Sequence, residues 1–207
     1  LAIRLGRDSS NKTIAMHYEG QINRMPDLLD EVSQLYAKRA PDFMKKIRKC
    51  TSFFVIGSGP NIATADESAL GISQSSGIPA QAFPVENFLH GPIQTLRDHM
   101  GVIAIAAPGP LQERIIQAAE ASKVIGAKVM VLAPKNLGGL HDFDITLRLP
   151  DGIPESLTPL IYITPLWQIA YHFSLLGRGC HTDQLSMDKP KFKKAFSIIM
   201  QKDKKFK

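Results

Sequence analysis

Residues 71–92, GISQSSGIPAQAFPVENFLHGP, hold two patterns able to do chemistry. Ser73, Ser75 and Ser76 before Gly77 look like a hydroxyl-rich loop that grips a phosphate. His90, followed by Gly91 and Pro92, looks like an imidazole presented at a turn whose residue types restrict the backbone. Imidazole exchanges protons near neutral pH, which suits ring opening or proton transfer at a carbonyl centre. Upstream, Ser58 and Gly59 lie in GSGPN. There a turn feeds a helix start, the kind of place that accepts an anion; a tight turn with no ligand is the equally weighted alternative. Ile62 stands where a dinucleotide fingerprint needs its third glycine, which argues against a nicotinamide cofactor. Cys180-His181-Thr182-Asp183 has no second ligand cluster, so no metal centre is expected.

The elements that must position these groups follow from periodicity. The segments 11–24, 26–39 and 41–50 read as successive helices, Pro26 sitting where a first helical turn tolerates it. SFFVIG, GVIAIA, AKVMVLAP and DFDITLRL read as short buried strands, and AQAFPV is extended. Helices are expected over 62–74, 111–125 and 155–176. Strands alternating with helices predict a three-layer α/β/α domain on a mainly parallel sheet, whose ligands bind beyond the carboxyl ends of the strands.

With 207 residues and 44% hydrophobic content, the chain can bury one ordinary core. The net charge of +6 is concentrated: Lys189–Lys207 holds eight lysines against one aspartate, leaving the rest at −1. That distribution describes a solvated basic tail, not a nucleic-acid groove. No apolar run is long enough to cross a bilayer. Two cysteines, Cys50 and Cys180, give no disulfide framework, which fits a reducing compartment and makes a cytoplasmic location the expectation.

Strand, glycine turn, ESAL helix, FLHGP and PLWQIAYHFSLLGRGCHTDQ, in that order, resemble the sugar isomerase (SIS) family. The likeness is greatest to the second of the two such halves in glucosamine-6-phosphate synthases and sugar-phosphate deglycases. It implies a flavodoxin-like topology, with a helical lead-in over 1–50, an SIS domain over 51–188 and the tail over 189–207. It also implies a C-terminal half of a longer protein, the first half supplying the phosphate loop. On that register Ser73–Ser76 end a helix instead of following a strand, so they read as a decoy whose hydroxyls bond helix-end carbonyls.

The resemblance further implies that His90 reaches into a neighbouring subunit's site, hence a homodimer with shared active sites, and that no cofactor is needed. The proton-carrying glutamate of the synthases falls on Gln74 and a lysine falls on Gly71. An amide is no general base near neutral pH, so Gln74 is left a substrate-binding role. Glu67, two helical turns before Gln74 and on the same face, and Glu86, just ahead of the histidine turn, are the replacement candidates. Each also has a plain reading, as a charge near a helix start and as a solvated loop residue. Lys189 lies near the spacing of a carbonyl-reactive lysine. The expected activity is making or breaking a C–N bond at a sugar phosphate, in the glucosamine–fructose-6-phosphate aminotransferase or fructosamine-phosphate deglycase group. The alternative is a non-catalytic sugar-phosphate sensor.

Overall fold

The computed structural model describes residues 3, 6, 11–175 and 189–199. The chain opens with a 36-residue helix, α1 (Lys12–Ile47), which contains both Pro26 and Pro41. Three separate helices were expected, because an interior proline removes one hydrogen bond and crowds the preceding turn. The apolar pattern overrides that local penalty. Met25, Leu28, Val32, Tyr36, Ala40, Phe43 and Ile47 keep helical spacing across both prolines, and all are buried.

Five strands follow: β1 (Ser52–Gly57), β2 (Ala80–Pro84), β3 (Met100–Ile105), β4 (Lys128–Pro134) and β5 (Ile145–Leu149). They form one parallel sheet in the order β2-β1-β3-β4-β5. The extended AQAFPV segment is its β2 edge. The intervening helices are α2 (Asn61–Ser76), α3 (Val85–Leu89) and α4 (Gln112–Ile125); α5 (Thr158–Ser174) follows β5. Strand order reverses between β1 and β3, so the ligand crevice of such a sheet opens beyond their carboxyl ends.

Alternation along the strands builds two cores. Phe53, Val55, Ile103, Ile105, Met130 and Leu132 face α1, α2 and α5. Ile56, Val102, Ala104, Val129 and Val131 face α3 and α4, whose Val85, Phe88 and Ile115 complete that side. Successive side chains of a strand point to opposite faces, so α2 and α3 are separated by the sheet although only β2 lies between them in sequence. A last helix, α6 (Pro190–Ile199), has every residue exposed. Among the described residues, no helix is long and apolar enough to cross a membrane.

Candidate functional site

At the carboxyl end of β1, Ser58 is 8% exposed and Gly59 takes φ +51°. Asn61, the first residue of α2, is buried and ties the corner together. Its Nδ2 donates to Thr158 Oγ1 at 2.7 Å, and its Oδ1 accepts from Thr64 Oγ1 at 3.1 Å. Thr158 Oγ1 in turn donates to the Glu155 carbonyl at 2.7 Å. The starts of α2 and α5 are thereby locked together.

This lock sets Glu155 over the glycine turn. Oε1 of Glu155 lies 2.7 Å from where a Cβ on Gly59 would stand, and Oε2 lies 2.7 Å from the corresponding point on Gly109. Gly109 belongs to the matching turn after β3 and has φ +156°. Of the two readings of this corner, the geometry favours the tight turn over the anion acceptor. A carboxylate stands over the turn, and the Asn61 and Ile62 amides already donate to the Ser58 and Gly59 carbonyls.

The serines of SQSSG bond the backbone. Ser76 Oγ donates to the Ile72 carbonyl at 2.5 Å, Ser75 Oγ to the Ala170 carbonyl at 3.0 Å, and Ser73 Oγ accepts from the Ala80 amide at 3.0 Å. They staple the end of α2 to α5 and β2. Glu67 and Gln74 both lie on the exposed outer face of α2.

His90 follows α3, and its side chain is 81% exposed. Gly91 beside it has φ −177°, and nothing lies within 4 Å of where its Cβ would be. The fold does not itself demand glycine there; its lack of a side chain leaves the surface beside the imidazole open. Glu86, one helical turn back, has Oε2 3.9 Å from His90 Nε2. Its main partner is Arg114 on α4, whose Nε donates to Oε1 at 2.7 Å and whose Nη2 donates to Oε2 at 3.3 Å. The Arg114 guanidinium holds the Glu86 carboxyl below the usual glutamate value. A carboxylate so held is a weaker base and a better anchor for a protonated imidazole.

Thus the structure brings His90, Glu86 and Arg114 together on one side of the sheet. Ser58, Gly59 and Glu155 sit at its crest, with Glu67 and Gln74 on the other side. Within one copy, His90 and Glu67 do not share a surface. Lys189 is exposed at the start of α6, and Cys180–Gln184 fall outside the described residues. No group of three or more potential metal ligands occurs among the described residues. Sequence reasoning missed Asn61, Arg114 and Glu155. The signal for that corner was the Gly-Pro pair repeated after β1 and β3.

A family model described as SIS domain matches residues 46–176. The glutamine–fructose-6-phosphate aminotransferase [isomerizing] of Pyrococcus horikoshii is 34% identical over 167 residues, covering 80% of this chain and 27% of that protein. The one from Thermococcus kodakarensis is 27% identical over 187 residues, covering 89% of this chain and 30% of that protein. The chain thus spans between a quarter and a third of the length of these relatives. Among solved structures, the C-terminal domain of glucosamine-fructose-6-phosphate aminotransferase from Francisella tularensis superposes with a TM-score of 0.74 at 20% identity, covering 85% of this chain and 49% of that one. Tagatose-6-phosphate ketose/aldose isomerase from Escherichia coli gives 0.60 at 18% identity, covering 72% and 43%. At such identities the structural matches establish the fold.

Proposed function

The chain belongs to the SIS domain family, and from that premise we propose that it is the phosphosugar-binding part of an aminotransferase or deglycase that makes or breaks a C–N bond at a sugar phosphate. The observation that carries this reading is His90: an exposed imidazole on a short helix, backed by the Glu86–Arg114 pair and flanked by an unobstructed surface. In the reaction, His90 moves the proton that opens the sugar ring. Glu86 orients the imidazole and balances its charge. Glu67 is then the carboxylate left with base character, and Lys189 is the amine able to condense with the opened carbonyl. Ser58 and Gly59 line the crest, and Gln74 supplies an amide contact to sugar hydroxyls.

The sheet separates His90 from Glu67, so one site needs His90 from one copy and the α2 face of another. This supports a homodimer with shared sites. A cytoplasmic location accords with the sugar-phosphate substrate. The second reading, a sensor that binds without turnover, is favoured by Gln74 and Gly71, which carry no base.

The test is incubation of the full-length protein with fructose 6-phosphate, or with an amino-sugar phosphate, in deuterated water. Deuterium at C1 or C2, or released amine, supports catalysis; tight binding without either supports the sensor. His90→Ala should lower turnover at least 100-fold while sugar-phosphate affinity changes less than about threefold. Undiminished turnover rejects the role of His90.

A further inference from the structure

Two turns of the same design flank the point where strand order reverses. Gly59-Pro60 follows β1 and Gly109-Pro110 follows β3. Each glycine has positive φ, and each proline lacks the N–H that a helix start would otherwise offer. The next amides are also taken: Asn61 and Ile62 donate to Ser58 and Gly59, and Gln112 donates to Gly109. These amides and the Ser58, Gly59 and Gly109 carbonyls that accept from them are therefore engaged within the turns. Between the turns stands Glu155, whose carboxylate is the group nearest to where a Cβ on either glycine would stand. Its carboxylate forms no hydrogen bond or ion pair with any described residue, and the residue is neither fully buried nor fully exposed.

We propose that Glu155 is the ligand-recognising carboxylate of the crevice between the carboxyl ends of β1 and β3, and that this crevice takes the protonated amine of an amino sugar and turns phosphate away. The idea rests on the sugar-phosphate reading above and adds a polarity to it: the amine end enters this crevice, and the phosphate is held elsewhere. An ammonium supplies the donor that the Glu155 carboxylate lacks. Charge-assisted hydrogen bonds of this kind are about twice as strong as neutral ones. Phosphate meets a like charge.

The experiment compares glucosamine 6-phosphate, glucose 6-phosphate and inorganic phosphate by calorimetry on the full-length protein and its Glu155→Gln and Glu155→Ala variants. Folding of each variant is checked by circular dichroism. Wild type should prefer the amine-bearing sugar over its hydroxyl analogue by about tenfold. Gln keeps the shape over the glycines but not the charge, and should reduce that preference to within about twofold, as should Ala. A preference that survives in both variants overturns the proposal, as does wild-type phosphate binding that broadens the Gly59 and Gly109 amide resonances. If no sugar phosphate binds at all, the sugar-phosphate reading fails separately. Glucosamine alone then decides: shifts at Gly59 and Gly109 that vanish in Glu155→Gln sustain the carboxylate site, and no shift rejects it.

Discussion

The lock under the crest is the feature most open to a quantitative test. Asn61→Ala deletes two buried side-chain hydrogen bonds, at 2.7 Å to Thr158 and 3.1 Å from Thr64. Each contributes about 1 kcal/mol, and the Thr64 hydroxyl, buried at 3% exposure, loses its acceptor at a further cost of about 1 kcal/mol. The loss of stability should therefore be about 2–3 kcal/mol. Thr158→Val removes the acceptor of Asn61 Nδ2 and the donor to the Glu155 carbonyl, and should cost a similar amount because it strands a buried amide. The double variant counts the shared bond once and leaves no stranded amide. Its loss should fall short of the sum of the single losses by about 1–2 kcal/mol. Urea denaturation of the four proteins, followed by tryptophan fluorescence and circular dichroism, measures all three quantities. Single losses below about 0.5 kcal/mol, or additivity within about 0.3 kcal/mol, would refute the idea that this network joins α2 to α5.

Three further outcomes follow from the same geometry. Arg114→Ala should let the Glu86 carboxyl pKa rise toward the ordinary glutamate value, read by carbon NMR titration; an unchanged value would mean that the guanidinium does not set it. Burial alone would raise the Asp144 carboxyl, but the Val129 amide and the Lys128 and Lys123 ammonium groups outweigh it and hold it below the usual value. The stability it contributes is therefore present above the unfolded pKa of about 3.9 and lost as pH falls through the folded value. Asp144→Asn should be less stable than wild type at pH 7, with the gap narrowing as pH falls below the unfolded value; a constant gap contradicts the assignment. Phe173→Ala, at a fully buried ring whose centroid is 5.1 Å from that of Phe53, should cost about 3–5 kcal/mol, measured as a lowered urea midpoint.

Much of the architecture was legible from local pattern. Short apolar runs marked four strands, the first of them ending at a glycine corner, and the expected helices over 62–74, 111–125 and 155–176 agree to within a few residues. Those signals are local because strand alternation, helix periodicity and turn chemistry act over a few neighbouring residues. His90 stood out for the same reason, its neighbours Gly91 and Pro92 being adjacent in the chain. The continuity of α1 was not legible. A proline's cost is visible in the sequence, whereas the stripe that offsets it acts only once packed against the sheet and α5.

Sequence alone determined the residue types available, the order of the strands along the chain and the two Gly-Pro turns. Tertiary structure decided which groups meet. Arg114 reaches Glu86 from 28 positions away, and Asn61 bonds Thr158 across 97. Glu155 arrives between two turns that neither neighbour it in sequence nor share a motif with it. The parallel sheet sends α2 and α3 to opposite faces, so residues that look adjacent in GISQSSGIPAQAFPVENFLHGP end up divided by a layer of strands. Chain connectivity encodes separation along the backbone, and only the burial of both sheet faces converts it into distance in space.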